Sequence, residues 1–258
     1  MKNFLTKGSV CFVTLDMGFG GAEKVIATLA NKFIQSGREV TILTLIDQND
    51  FMHALDSRVK LQTLSIKNFK MSFFALWKFF YKNEFDNFIA NIWPLTVFSF
   101  LIRFISPKTN LVLIEHCILS EQYRDKNIIF KILQKISITI FYKFAHHIIG
   151  VSMGIKNDLI AHGATKNKIS VIYNPLMPDL VNENHSINQD ILRWMEGDHI
   201  NLIAIGQLIK AKNFINLIKS IDILVNKNKQ KVRLVILGDG SERAAMNESI
   251  EKYNLENS

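Results

Sequence analysis

The stretch VCFVTLDMGFGG, residues 10–21, sets the fold that we predict for this chain. Its uninterrupted apolar run predicts a buried strand over 10–15, and a turn with three glycines follows. A helix is expected over 22–35, because apolar residues repeat there at helical spacing, at Val25, Ile26, Leu29, Ala30 and Phe33. A second apolar strand is predicted over 39–45. Strand, helix and strand in this order form a βαβ unit, so we expect a parallel sheet.

The same alternation continues along the chain. Further strands are predicted at 59–64, 86–90, 110–115, 147–151 and 169–173, and further helices at 72–81, 95–105, 127–144 and 153–162. Residues 177–198 are polar and irregular, which is typical of a linker. Beyond them we predict strands at 200–206 and 232–237 and helices at 213–226 and 243–253.

These elements predict an α/β chain with two domains. The first covers 1–180, a linker covers 181–198, and 199–258 form only part of a second domain. The second domain is expected to be incomplete, because two strands are fewer than the roughly five or six of an average sheet.

The charge of the chain is unevenly distributed. The formal net charge is +8, with 21 Lys and Arg against 13 Asp and Glu in 1–180 and ten of each in 181–258. This excess predicts an acidic partner for the first domain, such as anionic lipid, a phosphate-bearing substrate or nucleic acid. Nucleic acid is disfavoured because no recognition motif accompanies the charge. The segment 67–85 mixes aromatic residues with four lysines, which suits either a membrane interface or a core helix with a lysine face.

Composition excludes several classes of protein. The chain has two cysteines and no Cys-x-x-Cys pair, so neither a disulfide framework nor a cysteine-rich metal site is expected. We find no signal peptide and no run of about 18 uncharged apolar residues, the length that a transmembrane helix needs. A cytoplasmic location is therefore expected.

Two motifs are expected at the carboxyl ends of strands in the first domain, where parallel sheets bind ligands. Gly18-Phe19-Gly20-Gly21 lets backbone approach a ligand, although a plain tight turn fits as well, and it does not match Gly-x-Gly-x-x-Gly. Glu115-His116 ends a predicted strand. His116 is placed there for hydrogen bonding or proton transfer, and a structural histidine is the alternative.

The second domain opens with a possible anion site. The apolar run 202–205 ends at Gly206, and Lys212 stands just before a predicted helix. Backbone N–H groups at the positive end of a helix attract phosphate, and an ammonium adds a full charge. An ordinary βα turn with a solvated lysine is the alternative at this point.

Taken in order, the motifs resemble the family-4 retaining glycosyltransferases of the GT-B fold, over nearly the whole chain. The matching segments are Gly20-Gly21-Ala22-Glu23-Lys24-Val25, Glu115-His116, Val151-Ser152, Val171-Ile172-Tyr173-Asn174-Pro175, Gly206-Gln207-Leu208 with Lys212-Asn213-Phe214, and Leu237-Gly238-Asp239-Gly240 with Arg243. The resemblance implies two Rossmann-like domains with a cleft between them. It also implies transfer of a sugar, with retained configuration and without a metal or other cofactor, from a UDP- or GDP-sugar to a glycan or lipid-linked acceptor.

The resemblance further implies roles for individual residues. Lys212 and His116 would be the catalytic residues, with Lys212 on the leaving diphosphate and His116 on the transferred sugar. Glu23 and Glu115 would lie on the acceptor side with His116. Donor binding would involve Gly20, Gly21, Gly206, Gln207, Gly238 and Gly240 in addition to Lys212.

The chain departs from the family pattern in two places. Gln207 stands where the family usually has an arginine that pairs with the lysine on the phosphates. The family's Glu-x7-Glu segment would lie beyond Ser258, so a chain truncated in its second domain is expected.

The expected function is therefore glycosyl transfer in cell-surface polysaccharide or lipopolysaccharide synthesis. The basic first domain is expected to hold the chain at the anionic inner face of the cytoplasmic membrane. A non-catalytic module that binds a membrane or a partner protein is the alternative.

Overall fold

The computed structural model describes residues 8–18, 20–48, 50–66, 72–175, 189–256 and 258. The chain divides into two compact units, Met1–Pro178 and Asp179–Ser258. Each unit is described by itself.

The first unit contains a seven-stranded sheet in which every strand pairs in parallel with its neighbours, as the sequence predicts. The strands are β1 Val10–Thr14, β2 Val40–Thr44, β3 Lys60–Thr63, β4 Asn87–Asn91, β5 Asn110–Glu115, β6 His147–Gly150 and β7 Ile169–Val171. Their order across the sheet is β3-β2-β1-β4-β5-β6-β7. The order reverses beside β1, so the carboxyl ends of β1, β4 and β5 meet at the edge where such sheets bind ligands.

Helices cover both faces of this sheet. They are α1 Gly21–Gln35, α2 Ser72–Lys82, α3 Leu95–Phe98, α4 Phe100–Ile105, α5 Leu119–Gln122, α6 Ile128–Phe141 and α7 Met153–Ala161. The α1 residues Ile26 and Ala30 pack into one apolar cluster, whereas Leu76 of α2 and Ile138 of α6 pack into another. The strands between them are buried, which explains their continuous apolar runs.

Two helix predictions in this unit differ from the structure, one by a break and one at its ends. The predicted helix 95–105 is split into α3 and α4 at Ser99, whose hydroxyl donates to the Thr96 carbonyl and so competes with a helical hydrogen bond. The predicted helix 127–144 begins at Ile128, after Asn127 as its N-cap, and passes into a 3₁₀ turn at Tyr142–Phe144. No helix within the described ranges is long and apolar enough to cross a bilayer.

The second unit contains two parallel strands, β8 Ile200–Ile205 and β9 Val232–Leu237. Its helices are α8 Gln189–Met195, α9 Phe214–Asp222 and α10 Arg243–Lys252, and a π-helical turn at Ile223–Lys227 follows α9. Ile218 and Ile221 of α9 pack with Val232 and Met246 in a small core.

The linker prediction was wrong for 189–195, because α8 lies within the stretch 181–198. The side chain of Asn201 donates to the carbonyl of Met195 at 2.7 Å, which satisfies the last turn of α8. The guanidinium of Arg233 lies 5.1 Å from the ring centroid of Trp194 and adds a cation–π contact. Residues 181–188 of the predicted linker lie outside the described residues.

Candidate functional site

The first unit brings together polar residues that follow neighbouring strands. Asn91 ends β4 and His116 follows β5, and His116 Nε2 lies 3.4 Å from Asn91 Oδ1. The amide nitrogen of Asn91 also donates to the carbonyl of Val13 in β1, at 3.3 Å. Asn91 therefore ties β1, β4 and His116 together at the carboxyl edge of the sheet.

The His116 ring is neutral over most of the pH range. Burial lowers the pKa of His116 to about 4, because the charged imidazolium loses its hydration. If Nε2 donates to Asn91, Nδ1 carries the acceptor lone pair. Among the described residues Nδ1 is buried without a hydrogen-bond partner. His116 therefore keeps one acceptor that no described residue satisfies and that protein atoms enclose.

Glu115 is a fully buried carboxyl group, and its predicted role on the acceptor side stays a prediction. Its side chain is fully buried and accepts hydrogen bonds from the Thr96 hydroxyl at 2.9 Å, the Trp93 N–H at 3.1 Å and the Tyr142 hydroxyl. Burial raises the pKa of Glu115 to about 7, and these three donors oppose the rise. Strand β5 turns this side chain into the core, and the next residue, His116, points elsewhere.

The glycine turn after β1 has one crowded and one open position. A Cβ atom on Gly20 would lie 2.0 Å from the Glu23 carboxylate, whereas a Cβ on Gly21 would meet nothing within 4 Å. Glu23 is half-buried in the first turn of α1, and burial followed by the charge of Asp16 raises its pKa. Phe19 lies outside the described residues. Contact of Gly20, Gly21 and Glu23 with a ligand stays a prediction.

The two loops of the second unit pack backbone against backbone. The N–H of Gly206 donates to the carbonyl of Leu237 at 3.0 Å, directly after β8. A Cβ on Gly238 would lie 1.9 Å from the Gly206 carbonyl oxygen, and a Cβ on Gly240 would lie 2.5 Å from that of Leu208. Gly240 has a φ of +157°, so a side chain there would also strain the backbone. The close packing of the loops therefore explains why glycine stands at both positions. That Gly238 and Gly240 line a nucleoside pocket stays a prediction.

Lys212 lies where an anion site requires a cation. It ends the 3₁₀ turn Lys210–Lys212, and Asn213, with a φ of 54°, connects it to the N-terminus of α9. The side chains of Lys212 and Gln207 are both exposed. The turn thus presents an ammonium beside the positive end of a helix, and the neutral Gln207 adds no charge.

Three polar residues around Glu115 and His116 were not predicted from the sequence, namely Asn91, Thr96 and Tyr142. Asn91 could have been found, because a polar residue ends the apolar strand 87–91 just before a proline turn. Thr96 and Tyr142 lie on helices amid apolar residues, and only the tertiary structure brings them to Glu115. Within the described ranges, no His, Cys, Asp and Glu residues are grouped so that they could hold a metal ion.

Comparison with characterised proteins finds glycosyltransferases of bacterial polysaccharides. A Campylobacter jejuni protein named N-acetylgalactosamine-N,N'-diacetylbacillosaminyl-diphospho-undecaprenol 4-alpha-N-acetylgalactosaminyltransferase is 28% identical over 256 residues. The amylovoran biosynthesis glycosyltransferase AmsD of Erwinia amylovora is 27% identical over 252 residues. Both matches cover 93% of this chain but only 65% and 64% of the relatives, so the chain spans a little under two thirds of their length.

Solved structures share the fold of this chain. The crystal structure of Anabaena HepE in complex with UDP and glucose has a TM-score of 0.71 at 15% identity, over 96% of this chain and 67% of that one. The lipopolysaccharide outer core galactosyltransferase WaaB has a TM-score of 0.59 at 18% identity, over 96% of this chain and 66% of that one.

Two protein families together match most of the sequence. Glycosyltransferase Family 4 matches residues 19–180, and Glycosyl transferases group 1 matches residues 193–258. Because the first match alone covers more than half of the residues, the chain belongs to glycosyltransferase family 4, and its fold is that of the GT-B glycosyltransferases.

Proposed function

We propose that this chain transfers a sugar from a UDP- or GDP-sugar to a glycan or lipid-linked acceptor during synthesis of a cell-surface polysaccharide or lipopolysaccharide. The names of its relatives support this proposal, since one is an amylovoran biosynthesis enzyme and the other is named for a diphospho-undecaprenol acceptor. The presence of UDP and glucose in the Anabaena HepE crystal structure supports a nucleotide-sugar donor.

The observation that carries the proposal is the position of Lys212. Departure of a nucleoside diphosphate develops negative charge on the leaving oxygens, and fixed cations and N–H dipoles stabilise that charge. The exposed ammonium of Lys212 and the N-terminus of α9 are adjacent and supply both, without a metal ion. Gly206, at the end of β8, lets backbone approach the same ligand.

His116 supplies the contact with the transferred sugar in the proposed reaction. Its neutral imidazole, held by Asn91, has an unsatisfied acceptor at the buried Nδ1, and we propose that a sugar hydroxyl donates to it after a local movement exposes that atom. We propose that the sugar is transferred with retained anomeric configuration, which requires that it be held so that the acceptor hydroxyl bonds to the anomeric carbon on the face from which the diphosphate departs.

The proposed location follows from the proposed acceptor. A lipid-linked acceptor lies in a membrane, and the excess positive charge of residues 1–180 favours an anionic surface. We propose that the chain acts in the cytoplasm, peripherally at the inner face of the cytoplasmic membrane.

Calorimetric titration of UDP and GDP into the wild-type chain and the Lys212→Ala variant tests the donor site. A hydrogen bond to a charged group contributes about 1.5–3 kcal/mol, so the affinity of the variant should fall by about tenfold or more. Lys219→Ala is the matched control, because Lys219 is an exposed lysine in the last turn of the same helix. Equal affinities of the wild type and the Lys212→Ala variant would refute the assignment.

A non-catalytic module is the second candidate, and Gln207 favours it. A neutral amide cannot form the bidentate charged contact of an arginine, and one such contact is worth on the order of 10²–10³ in rate. In this case the chain would bind a membrane or a partner protein without turnover. Transfer or hydrolysis of radiolabelled UDP-sugars by the 258-residue chain would reject this candidate.

A further inference from the structure

Helix α6, Ile128–Phe141, is apolar on the side that faces away from the sheet. Its inward side includes the buried residues Gln134 and Ile138. Its outward side is formed by six aliphatic residues whose exposed fractions lie between 46% and 68%, namely Ile128, Ile129, Ile132, Leu133, Ile136 and Ile140. A soluble helix normally turns polar residues outward, and a helix that is apolar all round is covered by protein or lipid.

The neighbouring helices extend this apolar surface. Phe74, Trp77 and Tyr81 form an exposed aromatic row on α2, and Phe104 is exposed on α4. The α2, α4 and α6 helices all pack on the same core cluster of the first unit. The Phe104 ring lies 5.8 Å from that of Phe144, just after α6. We define these outward sides of α2, α4 and α6 as the α6 face.

Lysines predominate among the charged residues around the α6 face, although exposed Glu84 follows α2 and exposed Glu121 and Asp125 precede α6. Residues 126–157 contain five lysines and neither Asp nor Glu. Lys126, Lys135 and Lys143 are exposed beside α6, and Lys78 and Lys82 are exposed beside the aromatic row of α2. Aliphatic residues, Trp and Tyr, bordered by lysines, match helices that lie in the interface of an anionic bilayer.

We propose that the α6 face docks the chain on an anionic lipid surface, with the aliphatic row of α6 inserted among the acyl chains. The inference rests on the proposed function, since a lipid-linked acceptor is what would bring the chain to a membrane. A second copy of the chain fits this face less well. A symmetric contact would bring the same lysines together, and like charges repel.

Vesicle flotation with the full chain tests the proposal. The wild type should float with vesicles of equal parts phosphatidylglycerol and phosphatidylcholine and should remain in solution with phosphatidylcholine alone. The double variant Ile132→Glu, Leu133→Glu should reduce the bound fraction by about tenfold, because two inserted side chains become charged. Both side chains are at least half exposed, so far-UV circular dichroism and the melting temperature should be unchanged.

The double variant Ile203→Glu, Ile205→Glu is the matched control. Its side chains are 63% and 74% exposed, but they lie on β8 of the second unit. This control should float as the wild type does. The proposal would be overturned if the α6 variant floats as well as the wild type or if the control loses as much flotation as the α6 variant. It would also be overturned if the wild type does not float. If the wild type sediments as a dimer and the α6 variant sediments as a monomer, the membrane proposal is overturned, and a second copy of the chain occupies this face.

Titration of UDP into the same variants separates this inference from the donor site. UDP binding without vesicle binding would reject the α6 face alone. Vesicle binding without UDP binding would reject the proposed function and leave the docking surface standing.

Discussion

The two units build their candidate sites in opposite ways. At the edge of the first unit, Glu115 and Asn91 are fully buried, and side-chain hydrogen bonds hold them. In the second unit, Lys212 is exposed, and backbone contacts between two loops set the local geometry. The difference implies that substitutions in the first site act mainly on stability, whereas substitution of Lys212 acts mainly on binding.

Glu115→Ala should have the largest effect on stability. It removes the acceptor of the Thr96 hydroxyl, the Trp93 N–H and the Tyr142 hydroxyl, all within the core. Unpaired buried donors and the cavity together should lower the free energy of unfolding by about 3–5 kcal/mol. Urea unfolding of the wild type and the variant measures this change. Lys212→Ala should change the free energy of unfolding by less than about 0.5 kcal/mol. Equal losses of stability in Glu115→Ala and Lys212→Ala would contradict the contrast between the units.

The free energy of unfolding should depend on pH in opposite directions in Glu115→Gln and His116→Gln. The pKa of Glu115 is raised from 4.5 to about 7, so between these values the unfolded chain loses a proton that the folded chain keeps, and stability falls as pH rises. The pKa of His116 is lowered from 6.5 to about 4, so between these values the unfolded chain binds an extra proton, and stability rises with pH. The two effects oppose each other in the wild type.

Each variant should reveal the effect of the residue that remains. From pH 4.5 to 6.5, Glu115→Gln should become more stable and His116→Gln less stable, each by on the order of 2–3 kcal/mol. Urea unfolding at several pH values measures the two slopes. Slopes of the same sign would show that burial does not perturb both groups.

Gly238→Ala should have a smaller effect, confined to the second unit. Its new Cβ would lie 1.9 Å from the Gly206 carbonyl oxygen, so the loops must separate, at a cost of about 1–3 kcal/mol. Gly21→Ala is the matched control, because a Cβ there meets nothing within 4 Å and alanine favours a helix. Hydrogen exchange of the β8 and β9 amides measures the local change. Unchanged protection in Gly238→Ala would show that the loops tolerate the extra carbon.

The sequence predicted the parallel sheet because its central strands β1, β2 and β5 are buried on both faces and are rich in apolar residues. It did not predict α8, since Gln189–Met195 follows a polar stretch and its last turn depends on Asn201 and Arg233. Helices whose ends are fixed by distant side chains carry little local signal.

The candidate site was only partly predictable for the same reason. The position of Lys212 before a helix was predicted because it is a local pattern, and the alternation along the chain placed His116 at a strand end. The orientation of Glu115 could not be predicted, because it depends on Tyr142, 27 residues further along the chain. Buried polar groups require partners, but the sequence does not say which ones.

Amide chemical shifts of the ¹⁵N-labelled chain during a UDP titration would locate the donor site. We expect shifts that saturate at Gly206 and at Lys212–Phe214, beside the proposed diphosphate, and weaker binding at the same amides in Lys212→Ala. Shifts confined to the first unit, or a spectrum that UDP leaves unchanged, would contradict the proposal that this loop binds the leaving group.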